Sequence, residues 1–330
     1  MSEELDSYTT EAAETELMLR AAWLYHFEGL TQSVIGTTLG VSRARVIKLL
    51  KDSFEQGLVT IQMSHNFYNC LRLEGELKAT FQLKDAVVVP TPRDTAQLTT
   101  TIGQAAATYL PKVLTAGMTL GTAWGSTILA TARTMKPHPL EGVSVVMMLG
   151  GIPDSLPALN SNDIARLFAE RLGGRTYYLY APTLVEKAAT REALLADSAI
   201  QAPLRLAKAS NVALLGAGTC GSNATLATTG ILSGAQLAAL RARGAVGDIL
   251  ARFFDIDGRP VPSDIDERII GLELEDLKRI DTTILVAGGH TKVATILGAL
   301  RGSYVNTLVS DEQTCHALLA CHRATQEAVS

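Results

Sequence analysis

The feature that most constrains the fold of this chain is a repeated pattern of a short apolar segment, a glycine-rich turn and a helix. Apolar segments followed at once by small residues and glycines occupy residues 143–149, 211–215 and 283–286. Strands that are apolar throughout are typical of parallel sheets, because helices cover both faces of such a sheet. The pattern therefore predicts an α/β domain with a Rossmann-like parallel sheet, and ligands bind such sheets beyond the carboxyl ends of the strands.

Length and charge limit the functions that the chain can have. Its 330 residues suggest two domains, and a net charge of −4 means that any contact with nucleic acid must come from a local basic patch. The four cysteines, at positions 70, 220, 315 and 321, match no zinc or redox spacing. The acidic, polar N-terminus is not a signal peptide, and no apolar run is long enough to span a bilayer. These features predict a cytoplasmic protein with reduced thiols and with no metal, cofactor or membrane partner.

The N-terminal residues have the spacing of a helix-turn-helix. A helix with a broad apolar face ends at Gly29, a second helix covers about 32–39, and a third begins after Ser42. Gly36 is small enough for a close helix contact, and Gly40 supplies the positive φ of a tight turn. The third helix is expected to turn its apolar residues inward, namely Val46, Ile47, Leu49, Leu50 and Phe54. A short wing strand is expected over 58–63.

The charges of this segment favour a contact with DNA. The residues from Thr31 to Lys51 include four basic side chains and no acidic one. A solvated helix face is the alternative, but the turn geometry and the missing acids favour DNA. The residues predicted to contact operator DNA are Thr31, Gln32, Ser42, Arg43, Arg45 and Lys48. One such module buries little surface, so the chain is expected to act as a homo-oligomer.

The same patterns predict the domain boundaries. Residues 1–64 form the helix-turn-helix DNA-binding domain, 65–72 a polar linker, and 73–330 the α/β effector-binding domain.

Three glycine-containing segments of the second domain are candidates for a binding site. The loop 121–127 ends in Ser126 and Thr127 at a helix start, which suits an anion, although a capped turn is the alternative. Lys292 follows a double glycine and could meet a phosphate or a hydroxyl, or else be an exposed lysine. Asp248 could accept hydrogen bonds from sugar hydroxyls. The acidic segment 255–258 lacks the register of a calcium loop and is expected to be a hairpin turn.

These segments resemble those of the SorC family of sugar-responsive bacterial regulators. The resemblance covers nearly the whole chain. The resemblance rests on the order of "GLTQSVIGTTLGVSRARVIKLL", "GTAWGST", "MMLGG", "GGRTYYLYAP", "GDILARFFDIDG", "VAGGHTK" and "SDEQT". It implies an effector domain similar to sugar-phosphate isomerases and deaminases of the ribose-5-phosphate isomerase type, without enzymatic activity. It also implies dimers or tetramers on operator DNA. The implied effector contacts are Gly121, Thr122, Trp124, Gly125, Ser126, Thr127, Gly150, Gly151, Asp248 and Lys292.

Two alternatives stay open from the residues alone. The loop 121–127 has few basic neighbours in sequence, so the effector could be a sugar phosphate, a sugar or an unphosphorylated polyol. A sugar-phosphate isomerase or deaminase with an added DNA-binding module would need a positioned acid–base group, and Asp248 and His290 are its candidates.

Overall fold

A computed structural model of the chain describes residues 2–59, 65–152 and 161–327. The chain divides into two compact units, Met1–Ser64 and His65–Ser330. In the described residues, no helix has the length and apolar run that crossing a bilayer requires.

The first unit consists of three helices, α1 (Ser2–His26), α2 (Gln32–Leu39) and α3 (Arg43–Glu55). The Thr31 side chain accepts a hydrogen bond from the backbone N–H of Val34 and caps α2, and Ser42 caps α3 in the same way. Gly40 ends α2 with φ +68°, a left-handed conformation that favours glycine. The core of the unit joins all three helices through Met18, Ala21, Ile35, Val46 and Leu49.

The prediction that Ile47 and Phe54 face inward is wrong. Their exposed fractions are 47% and 40%. The buried positions of α3 are 46, 49, 50 and 53, which follow the helical repeat of 3.6 residues. Because each residue advances about 100° around the axis, Ile47 lies beside this buried stripe and outside it. Most of the predicted wing lies outside the described residues, and residues 58 and 59 form a bend rather than a strand.

The second unit begins with α4 (His65–Phe81). Residues 65–72, predicted as a polar linker, are instead the first turns of this helix. Cys70, Leu73 and Leu77 are buried in the core of the second unit. Their spacing of three and four residues explains why the helix extends toward its N-terminus past Leu73.

The predicted α/β class with a parallel sheet is confirmed by a seven-stranded sheet in which every pairing is parallel. The strand order is β1-β10-β9-β5-β2-β3-β4. These strands are β1 (Asp85–Val89), β2 (Thr119–Thr122), β3 (Ser144–Met147), β4 (Arg175–Tyr177), β5 (Val212–Leu215), β9 (Thr282–Val286) and β10 (Thr307–Asp311). A small antiparallel sheet consists of β6 (Gly218–Thr219), β7 (Gly247–Ile249) and β8 (Arg252–Phe254). The central strands β5 and β2 are buried along their whole length, as in a sheet covered on both faces.

The second unit also contains the helices that connect the strands of the two sheets, together with the C-terminal helix. They are α5 (Leu98–Val113), α6 (Ser126–Thr134), α7 (Ser161–Leu172), α8 (Ala188–Ala196), α9 (Ser198–Lys208), α10 (Thr225–Thr228), α11 (Gly234–Ala242), α12 (Leu274–Leu277), α13 (Val293–Arg301) and α14 (Glu312–Glu327).

Candidate functional site

The loops that follow β2, β5 and β9 surround a cavity of about 60 Å³ at the carboxyl edge of the sheet. These strands are close to one another in the sheet, so their carboxyl ends meet at the same edge. Six of the predicted effector residues line the cavity: Trp124, Gly125, Ser126, Thr127, Asp248 and Lys292. Segments that are far apart in sequence therefore form one pocket.

The loop after β2 carries the N-terminus of α6 into this pocket. Ser126 is the first residue of the nine-residue helix, and Gly125, with φ +155°, precedes it. The first backbone N–H groups of a helix have no partner within the helix and carry partial positive charge, so this end favours an anionic group. The Trp124 indole Nε1 donates to the carbonyl oxygen of Gly150 at 3.3 Å, which holds the ring at the cavity wall.

Asp248 is a buried carboxyl with an unused oxygen. It lies on β7 and its side chain is 5% exposed. Its Oδ2 accepts from the backbone N–H of Ala251 at 3.0 Å, whereas its buried Oδ1 has no hydrogen-bond partner in the described part of the chain. A Cβ at Gly218, opposite on β6, would lie 2.0 Å from Oδ1, so glycine leaves the space that the carboxyl occupies. A buried polar atom without a partner is costly, and a ligand hydroxyl could satisfy it.

Burial raises the pKa of Asp248 from 3.8 to about 7, while the hydrogen bond from Ala251 and the charge of Lys292 act in the opposite direction. Burial lowers the pKa of Lys292, and the charge of Asp248 opposes that shift. The two groups therefore influence each other's charge across the same cavity. With this pKa, both the protonated and the ionised carboxyl are populated near neutral pH. Asp248 can therefore donate a hydrogen bond to a bound hydroxyl or accept one from it.

The turn that carries Lys292 is fixed by the end of β10 and the start of α14. The backbone N–H of Gly289 donates to Thr314 Oγ1 at 2.7 Å and to Asp311 Oδ1 at 3.3 Å. Asp311 is 1% exposed and also accepts from Thr91 Oγ1 at 2.7 Å. Sequence reasoning did not assign this supporting role to Asp311 and Thr314, although both lie in the "SDEQT" segment.

The other four predicted effector residues are Gly121, Thr122, Gly150 and Gly151. They do not line the cavity, and their close contacts are with other parts of the protein. A Cβ at Gly121 would lie 2.0 Å from Met148 Cε, and one at Gly150 would lie 2.4 Å from Pro182 O. The backbone N–H of Gly151 donates to Ala181 O at 2.8 Å. Thr122 Oγ1 donates within the sheet, to Leu214 O at 3.4 Å. Sequence reasoning missed Thr225 and Leu226, which do line the cavity and come from the short helix α10.

In the acidic segment that follows β8, the Asp255 carboxylate accepts hydrogen bonds from the backbone of the same segment. Asp255 Oδ1 accepts from the N–H groups of Asp257 and Arg259 at 2.9 and 2.8 Å, and Gly258 has φ +78°. The chain then pairs back through the bridge between Phe254 and Pro260, which matches the predicted hairpin turn. No group of three or more metal-ligating side chains occurs in the described ranges.

In the first unit, the basic side chains differ in their surroundings. Arg43, Lys48 and Lys51 are exposed on α3. Arg45 is half-buried and forms an ion pair with Glu14 of α1. The absence of acidic residues between positions 31 and 51 did not reveal this partner, because it comes from another helix. Thr31, Gln32 and Arg43 line a groove at the N-terminus of α2, and Tyr25, which sequence reasoning did not assign, is part of it.

Known transcriptional regulators are similar to this chain over nearly its whole length. The Sugar-bind family, described as a sugar-binding domain, matches residues 65–320. The chain is 36% identical to the deoxyribonucleoside regulator of Bacillus subtilis (strain 168), over 92% of this chain and 97% of that protein. It is 34% identical to the transcriptional regulator YjhU of Escherichia coli (strain K12), over 92% and 94%. The crystal structure of the full-length sorbitol operon regulator SorC from Klebsiella pneumoniae superposes with a TM-score of 0.73 at 29% identity, and covers 92% of this chain and 98% of that one.

Proposed function

Because the chain belongs to the SorC family of sugar-binding transcriptional regulators, we propose that its cavity binds a phosphorylated sugar that controls its affinity for operator DNA. One observation carries the proposal about the cavity. Around a single pocket, the unpartnered Oδ1 of Asp248 lies together with Lys292 and the N-terminus of α6.

The chemistry of the pocket suits a molecule with hydroxyls and one anionic group. The α6 N-terminus with the Ser126 and Thr127 hydroxyls, assisted by the ammonium group of Lys292, would hold the phosphate. Asp248 would bond a sugar hydroxyl through Oδ1. Gly121, Thr122, Gly150 and Gly151 would keep the walls in place, and the Trp124 ring would cover one side of the sugar.

We propose that the first unit binds DNA through α3 and the start of α2. The residues that would contact operator DNA are Thr31, Gln32, Ser42, Arg43, Arg45 and Lys48. The helix-turn-helix geometry and the exposed cations of α3 support this assignment. A homo-oligomer, dimeric or tetrameric, would place two such units on one operator.

Control of DNA binding then follows from a shift between two arrangements of the protein. An effector that binds one arrangement about 100-fold better than the other supplies about 2.7 kcal/mol of bias. Such a bias is enough to change operator occupancy. We propose binding rather than turnover, because relatives named as transcriptional regulators match the chain over nearly their whole lengths.

Thermal unfolding with matched ligand pairs tests the site. The pairs are deoxyribose and deoxyribose 5-phosphate, glucose and glucose 6-phosphate, and sorbitol and sorbitol 6-phosphate. A ligand that binds only the folded protein raises the unfolding midpoint, and at equal concentration a tighter ligand raises it more. We expect a phosphorylated member to raise the midpoint and its free partner to raise it less.

The matched variants are Lys292→Met, in the cavity, and Lys112→Met, which removes an exposed lysine near the end of α5. Lys292→Met should lose most of the shift, and Lys112→Met should keep it. A shift caused by the free sugar or polyol alone, unchanged in Lys292→Met, would contradict the phosphate site.

A further inference from the structure

The outward face of α3 combines an exposed isoleucine with basic residues. Ala44, Ile47, Lys48 and Lys51 are all exposed, at the spacing of three and four residues that places side chains on one face of a helix. Ile47 is 47% exposed, whereas Val46 and Leu49 are completely buried. The isoleucine is therefore not needed for the core of the first unit, and its apolar surface is available to a partner.

The charges around Ile47 identify the kind of partner. Arg43, Lys48 and Lys51 surround it on the exposed side of α3. Three acidic side chains lie near this surface in the described residues: Glu14 pairs with Arg45, Glu55 pairs with Lys51 at the far end of the helix, and Asp52 follows Lys48 by one turn. A cationic surface with an apolar centre complements the major groove of DNA. There, phosphates flank the base edges, and the 5-methyl group of thymine is the apolar group on those edges.

We propose that Ile47 contacts the 5-methyl group of a thymine in the operator and contributes to sequence specificity there. Ala44, one turn before Ile47 on the same face, is small and lets the helix approach the bases. Arg43, Lys48 and Lys51 would hold the adjacent phosphates and carry little sequence information themselves. This inference rests on the proposed function, in which α3 enters the major groove.

The test begins with selection of binding sites from random duplexes of about 30 base pairs, long enough for two half-sites one helical turn apart. Each thymine of the selected site is then replaced singly by deoxyuridine, which removes only the 5-methyl group. Dissociation constants are measured for the unaltered protein and for Ile47→Ala, with Lys48→Ala as the matched control. Ile47 is exposed, so its substitution should leave the fold intact, and the unfolding midpoint of the variant checks this.

In each half-site we expect one thymine whose single replacement weakens binding by the unaltered protein about fourfold, the value of one buried methyl group. The same replacement should have no effect on Ile47→Ala. Lys48→Ala should bind all duplexes more weakly and keep the fourfold effect. This pattern shows that the methyl group and Ile47 act on each other.

Equal deoxyuridine effects in the unaltered protein and in Ile47→Ala at every position overturn the inference and leave the proposed function standing. A change in the oligomeric state of the DNA-free protein in Ile47→Ala, with unchanged deoxyuridine effects, assigns the face to a second copy of the chain and also overturns it. If the unaltered protein selects no sequence at all, the DNA-binding part of the proposed function fails together with the inference.

Discussion

At the scale of single residues, Asp248 combines two properties that favour a ligand. Its buried Oδ1 lacks a partner in the described structure, and burial raises its pKa to about 7. Both properties destabilise the ligand-free protein, and a bound hydroxyl would relieve the first. Residues of this kind are more common at functional sites than in ordinary cores.

The pH dependence of stability follows from this pKa. Below pH 3.8 the carboxyl is protonated in both the folded and the unfolded protein and has no effect on their equilibrium. As the pH rises toward 7, the unfolded chain ionises first, so the folded state progressively loses stability, and the loss is complete above pH 7. The full loss is about 4 kcal/mol at most.

We therefore expect Asp248→Asn to raise the unfolding midpoint of the ligand-free protein, because the amide carries no charge to bury. The gain should be larger near pH 8 than near pH 5. Thermal unfolding at the two pH values measures it. An equal gain at both would show that the carboxyl of the folded protein titrates at its ordinary pKa.

Arg43 and Arg45 should contribute differently to operator binding. Arg43 is exposed, whereas Arg45 is paired with Glu14 of α1. The double variant Arg43→Ala/Arg45→Ala should abolish specific binding in a gel-shift titration and leave effector binding intact. Among the single variants, Arg43→Ala should lose more affinity, since Arg45 must exchange one anionic partner for another. An unaltered affinity of the double variant would exclude α3 as the helix that reads DNA.

At the scale of elements, the turn between α2 and α3 depends on close backbone contact. A Cβ at Gly36 would lie 2.8 Å from Val41 O. From the sequence, we attributed the glycine at this position to close contact between the two helices. The structure shows that the neighbouring atoms belong to the backbone of the turn, which a larger side chain would push away.

Gly36→Val should therefore destabilise the first unit by about 1–3 kcal/mol, as overpacking does in a close-packed interior. Operator affinity should fall, and the unfolding of the second unit should not change. Gly75→Ala in α4 is the control, because a Cβ there meets nothing within 4 Å. Circular dichroism melting and gel shift together measure both effects, and full operator binding by Gly36→Val would contradict the close contact.

At the scale of the whole molecule, the proposed function gives the two units separate tasks that the effector would have to connect. The proposed DNA contacts all lie before position 65, and the cavity lies after it. Any influence of a sugar on DNA binding is then a coupling free energy between distinct sites.

This coupling predicts the behaviour of Lys292→Met in the operator assay. Without effector, the variant should bind operator DNA like the unaltered protein, because its first unit is unchanged. With the effector present, its operator affinity should hardly move, while Lys112→Met should respond fully. A loss of effector-free operator binding in Lys292→Met would show that the lysine serves the fold of the protein and not only the ligand.

The sequence by itself determined the features that depend on neighbouring residues. Thr31, Ser42 and Gly40 act through caps and a positive φ within one or two turns, and the glycine-ended apolar segments became the parallel strands β3, β5 and β9. Local geometry was enough for these predictions. Only the tertiary structure decided which segments meet. It brought Asp248 and Lys292 into one cavity with α6, paired Arg45 with Glu14, and turned Ile47 toward solvent. Strand order and helix packing set these contacts between distant residues, and no local pattern in the sequence encodes them.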